Sequence, residues 1–209
     1  IKAQVHDSVE LDRAGLVLDG CVATSWVTAH VLARRSVVAR RFYFVQDFEP
    51  FFYARGSEAA LVEDTYHFGF RTIAIGHMVA DLVRERCGVE ATVAEFGCDT
   101  EIYRLTNPGP RSGVVFYTKP DTPRRGYRLG VLALAEFHRT HPEQPIHLFG
   151  ELPRKLPFPV VPHGKMTPTE LNGLYNQTIA GLAMSFTNIS LVAEEMLAGP
   201  NDPDPAKIF

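Results

Sequence analysis

Short apolar runs alternate along this chain with amphipathic stretches of helical spacing, and that alternation predicts an α/β fold built on parallel strands. Residues 15–19 and 20–24 read as one or two strand segments, followed by a helix over 25–35 with Trp26, His30 and Arg34 at helical spacing. The aromatic and β-branched run 41–47 predicts a strand that ends in polar residues. Residues 57–67 predict a helix, 70–76 a buried strand, 78–86 the helix after it and 91–96 a further short strand. Asn107-Pro108-Gly109-Pro110 can continue neither a helix nor a central strand. Residues 107–112 therefore read as a linker between two domains, 1–106 and 113–209.

Past the linker the order restarts, with a strand over 113–117, a helix over 125–139 and a strand over 145–150. Leu129, Leu132, Ala133, Glu136 and Phe137 share one face of that helix. Thr167-Pro168-Thr169-Glu170 is a capping box with proline at the first helical position, opening a helix that runs to about residue 177. A buried strand over 179–186 and a helix capped by Ser190 and stopped at Gly199 complete the series.

Composition narrows the function classes. A chain of 209 residues that is 45% hydrophobic can bury a sizeable core, and 21 Lys+Arg against 24 Asp+Glu lack the basic excess of a dedicated nucleic-acid binder. Cys21, Cys87 and Cys98 are an odd set with no Cys-x-x-Cys pair, so neither a disulfide framework nor a zinc ribbon is written, and a reducing compartment fits. No apolar run approaches the roughly 18 residues of a membrane span, and the first residues lack the layout of a signal peptide. The start at Ile1 rather than methionine reads as an interior piece of a longer, cytoplasmic protein.

Three places carry candidate chemistry. At Gln46-Asp47-Phe48-Glu49-Pro50 two carboxylates and an amide leave a strand at the end where open α/β sheets place their sites. Asp47 and Glu49 there can bind a sugar hydroxyl, act as base or stabilise developing positive charge, or else cap a turn and sit in solvent. The loop 117–126 puts Lys119, Arg124 and Arg125 directly after a strand, which matches the charge of a phosphate or diphosphate, or is a solvated basic loop. Between Ser185 and Leu191 a strand feeds into a helix N-terminus, whose free N–H groups from Asn188 to Leu191 make an anion site or a plain cap. His138 and His141 sit three apart with no third ligand nearby, so no metal site is read.

The segments 22–29, 42–50 and 52–57 resemble the acceptor-side domain of rhamnosyltransferase-like members of retaining glycosyltransferase family 4, the Gln-Asp-x-Glu-Pro stretch at 46–50 being the most specific. The resemblance continues in order through 66–70, 97–99 with Tyr103, 116–125, 148–150, 169–175 and 190–196, nearly the whole chain. It implies a GT-B fold, two Rossmann-like domains facing across a cleft and both incomplete here. Residues 1–106 would be the end of the acceptor-side domain and 113–209 the first part of the nucleotide-sugar domain. The implied activity is metal-independent transfer of a hexose, a deoxyhexose such as L-rhamnose being the specific expectation. The donor would be a nucleoside-diphosphate sugar, with no separate cofactor, and the acceptor a glycan or lipid-linked glycan reached at the inner face of the membrane.

Carried over by position, Lys119 and Arg125 or Arg124 would neutralise the donor diphosphate, with N–H groups from Asn188, Ser190 and Leu191 beside it. Glu195 or Glu194 would bind the ribose, and Gln46, Asp47 and Glu49 would face the acceptor. Thr187 stands where the family has its first glutamate, and the Glu195-to-Gly199 interval is one residue shorter than the family's. These departures leave two other readings open, a non-catalytic sugar-nucleotide-binding or partner subunit and a nucleotide-sugar epimerase of the same architecture.

Overall fold

The computed structural model describes residues 18–35, 38–153, 155–185 and 189–199, with 189–193 as backbone alone. The chain divides between Phe96 and Gly97 into two units. Gly15–Val17, Phe186, Thr187 and Asn188, which the sequence pattern assigns to elements or sites, lie outside the described residues.

In the first unit, β1 (Leu18–Ala23), α1 (Trp26–Ala33), β2 (Val38–Val45), α2 (Ser57–Asp64), β3 (Arg71–Ile75), α3 (Gly76–Cys87) and β4 (Ala91–Ala94) follow one another. The four strands pair in chain order, β1-β2-β3-β4, and every pair is parallel. Parallel neighbours cannot be joined by a tight turn, so each connection crosses over through a helix. Ser25 starts α1 with a reciprocal capping box, its Oγ accepting from the Thr28 N–H while the Thr28 hydroxyl accepts from the Ser25 N–H at 2.9 Å. Gly76, with φ +71°, makes the turn by which β3 passes straight into α3 without a loop. Tyr43, Val45, Ala74, Val79 and Val83 form the core with Ala29 and Leu32, and the Tyr66 ring stacks between those of Tyr43 and Phe48, at 5.6 Å from each.

The second unit holds β5 (Val114–Thr118), α4 (Tyr127–Thr140), β6 (Ile146–Gly150), β7 (Val161–Gly164), α5 (Pro168–Gln177), β8 (Ala180–Leu182) and α6 (Ile189–Ala198). Its sheet is again all parallel, but the order is β7-β6-β5-β8. Strand order therefore reverses beside β5: the chain builds outward through β6 and β7, then returns to lay β8 on the other side. Side chains alternate across these strands, so Val115 and Phe149 join one core with Leu174 and Tyr175, while Phe116, Ile146 and Leu148 join another with Leu134 and Phe158. Gly130 lets α4 lie directly on β5, since a Cβ there would come 2.1 Å from the Phe116 ring.

Residues preceding β5 pack on this second unit. Tyr103 is in its core, and Asn172 and Asn176, one turn apart on α5, hold the chain from Arg104 to Asn107. Several boundaries move from those the pattern predicts. The strand expected over 41–47 runs Val38–Val45, and the helix expected over 57–67 ends at Asp64 and tightens into a 3₁₀ turn over Thr65–His67. The strand expected over 179–186 pairs only from Ala180 to Leu182 and is half-buried. Strand β7 has no sequence signal because it is a largely exposed edge strand with Pro162 inside it, which only an edge tolerates.

Candidate functional site

In the first unit, β2 ends at Val45 and delivers Gln46, Asp47 and Glu49 to the C-terminal end of the sheet. Gln46 is exposed and its amide donates to the Thr24 carbonyl at 3.3 Å, tying the end of β2 to the end of β1. Asp47 accepts from the Phe48 N–H at 2.9 Å. Glu49 is buried, and its Oε2 accepts from the Trp26 N–H at 2.7 Å and from the Tyr43 hydroxyl at 3.2 Å. Trp26 is the first residue of α1, so Glu49 satisfies one of the helix's orphan donors and sits at the positive end of its dipole. That carboxylate is held by α1 and β2, whereas Gln46 and Asp47 lie closer to solvent. Burial pushes the Tyr43 and Tyr66 hydroxyls well above the ordinary phenol range, with the Glu49 charge adding to the effect, so both stay protonated. Trp26 adds an aromatic wall, its indole donating to the Tyr53 hydroxyl at 3.0 Å.

In the second unit the basic loop leaves β5 where the strand order reverses. A crevice at such a switch point, outside the C-terminal ends of the strands, is the general ligand position of open α/β sheets. Arg125 bridges the ends of β5 and β8: Nη1 donates to the Ser185 Oγ at 3.4 Å, just past β8, and the guanidinium carbon lies 5.8 Å from the centroid of Tyr117 on β5. Gly126 allows this closeness, because a Cβ there would be 2.3 Å from the Met184 carbonyl oxygen. Lys119 follows β5 directly, with Nζ 4.0 Å from Glu151 past the end of β6, an exposed pair worth little by itself. Arg124 is half-buried in the 3₁₀ turn Pro123–Arg125. Helix α6 starts at Ile189, a few residues beyond Ser185, with Ser190 and Leu191 in its first turn; their side chains are outside the described residues.

Glu194 and Glu195 stand later on α6 in different surroundings. Glu195 is 1% exposed, with its carboxylate against Gly181 of β8, where a Cβ would come 2.5 Å from Cδ. Glu194 is half-buried and accepts from the Tyr103 hydroxyl. Burial pushes the Glu194 carboxyl above the usual range and the tyrosine's donation pulls it partly back; burial followed by the Glu194 charge pushes Tyr103 up to about 12. The structure thus brings Lys119, Arg124 and Arg125 together at one end of the sheet and separates the two glutamates by environment. Tyr117 and Ser185, which contact Arg125, open the two segments the sequence marks as candidate anion sites; only the topology brings those segments together.

Two all-parallel four-stranded α/β units, with polar and cationic side chains at strand C-termini, define a Rossmann-like protein compatible with a GT-B-like fold. No protein-family model matches the chain. It is similar to the O-antigen biosynthesis protein RfbC of Myxococcus xanthus, with 36% identity over 124 residues, which is 58% of this chain and 10% of that protein. The similar region thus spans about a tenth of the relative's length. Among the described residues no helix is long and apolar enough to cross a membrane.

Proposed function

We propose that this chain is part of a retaining GT-B glycosyltransferase that moves a hexose, specifically a deoxyhexose such as L-rhamnose, from a nucleoside-diphosphate sugar to a glycan or lipid-linked glycan of a cell-envelope polysaccharide. The observation that carries the reading is the cationic switch point of the second unit, with Lys119 and Arg125 beside the ends of β5 and β8. The 36% identity to an O-antigen biosynthesis protein supports a role in polysaccharide synthesis.

In this reading the second unit takes the donor. Breaking the anomeric bond leaves charge on the departing diphosphate, and Lys119, Arg125 and Arg124 with the N–H groups that open α6 stabilise it without a metal ion. Glu194 is the carboxylate available to a ribose hydroxyl, because Glu195 is packed beneath β8. The first unit takes the acceptor: Asp47 and Gln46 orient its hydroxyl, and Glu49 keeps α1 and the end of β2 in place. The leaving diphosphate takes the acceptor's proton during front-face attack. The protein acts in the cytoplasm, at the inner face of the membrane where a lipid-linked acceptor is presented.

The test is donor turnover by the full-length protein with Lys119→Ala and Arg125→Ala. Each variant is expected to lower kcat/KM for the donor by about 100-fold or more, as loss of a transition-state charge partner does. Unchanged turnover in both variants overturns the assignment.

A further inference from the structure

The opposite end of the first sheet carries a second cationic feature. Strand β2 starts at Val38, but its pairing with β3 starts only at Phe42, opposite Arg71. The step leaves a cavity of about 350 Å³ lined by Val38, Arg40, Arg41, Phe68, Phe70 and Arg71. That is within the range of small-molecule sites, roughly 300–1,000 Å³. The turn through Gly69, with φ +71°, closes one side of it. Phe68 and Phe70 pack edge to face there, with centroids 5.8 Å apart.

Three arginines line this space, and among the described residues none of the three forms an ion pair. Arg40 uses Nε only on the Asp19 carbonyl at 3.3 Å, and Arg41 uses one terminal nitrogen on the Arg35 carbonyl. The Arg41 Nε is buried without a hydrogen-bond partner among the described residues, an orphaned donor beside the cavity. Arg71 is exposed at the rim. Concentrated like charge is costly in a protein of net charge −3 that has acids to spare, unless an anion completes the site. Planar guanidinium forks match tetrahedral oxyanions better than any other side chain. Along β2, about 23 Å of strand separates this end from Gln46 and Asp47, so the cavity is not part of the site already described.

We propose that the cavity bounded by Arg40, Arg41 and Arg71 is an anion site that takes the phosphate or diphosphate group of an organic ligand, with Phe68 and Phe70 against its apolar part. The chemistry is shared by a soluble phosphate ester and by an anionic lipid headgroup, and the experiment separates them. Hydrogen-exchange mass spectrometry of the full-length protein with inorganic pyrophosphate reads peptides covering 38–41 and 68–71 apart from those covering 119–126. Protection at 38–41 and 68–71 is expected, together with an affinity lowered about ten-fold or more in Arg40→Gln/Arg71→Gln, whose donor turnover stays at the parent level. Arg71→Glu alone, at an exposed position, provides a second check should the double variant fold poorly.

Cosedimentation with phosphatidylcholine vesicles, with and without phosphatidylglycerol, supplies the other arm. Binding to the anionic vesicles that pyrophosphate competes away identifies a headgroup as the source; protection by pyrophosphate with no vesicle binding identifies a soluble phosphate ligand. Absence of protection at 38–41 and 68–71 overturns the proposal, as does protection that persists undiminished in both variants.

Discussion

Gly181 has no room for a side chain because the Glu195 carboxylate occupies the position a methyl would take. Gly181→Ala is therefore expected to destabilise the protein by about 1–3 kcal/mol through overpacking, read as a lower midpoint in denaturant unfolding. Glu194 makes a pH-dependent contribution. Its carboxyl is raised by burial, so the folded chain holds that proton more tightly than the unfolded chain does. The associated stability is complete below the ordinary glutamate value and is lost as pH rises from there through the raised value. Glu194→Gln removes this loss, and unfolding midpoints measured on either side of that window are expected to be flatter in the variant than in the parent. Residue identity alone gives none of this: Glu194 and Glu195 are neighbours of the same type, and only their surroundings separate them.

Helix α5 shows how one element organises a segment with no regular structure. Asn176 accepts from the N–H groups of Thr106 and Asn107, at 2.6 and 3.1 Å, and donates to the Arg104 and Asn172 carbonyls at 2.9 and 2.8 Å. Asn176→Ala removes the side-chain partner of those half-buried backbone groups and is expected to cost about 1–3 kcal/mol, with faster hydrogen exchange over 104–107. The start of the same helix was fully legible. The Thr167 and Glu170 capping box forms as the spacing predicts, and Thr167→Ala should cost about 1 kcal/mol by the same unfolding measurement. Caps are local, so sequence reports them; the asparagine contacts join residues about 70 apart, so it does not. The same difference explains why Glu49, which accepts from the first N–H of α1 across 23 residues, reads in the sequence only as a possible site residue.

At the scale of the whole molecule, the proposed donor reading makes a prediction about ligand linkage. A nucleoside diphosphate that binds only the folded second unit raises stability by about 2.7 kcal/mol at a hundred times its Kd. A thermal-shift series on the full-length protein is expected to show a selective rise with one nucleoside diphosphate, and Arg125→Ala is expected to remove it. No shift with any of them, in a folded protein, overturns the reading.

By itself, the sequence determined the α/β class, the parallel alternation of strands and helices, most of the element positions and the clustering of Lys119, Arg124 and Arg125 in one loop. Those features are periodic or local, and period and propensity act over a few residues. Strand order was decided only in three dimensions. Nothing in the chain between residues 113 and 199 announces that β8 returns to the far side of β5, yet that return makes the basic loop a switch-point loop and brings Ser185 against Arg125. The same holds for the arginine cavity, which exists because β2 begins four residues ahead of its pairing with β3. Register is set by which apolar faces can be buried together across the sheet, a requirement that binds distant segments at once and so leaves no mark in any one of them.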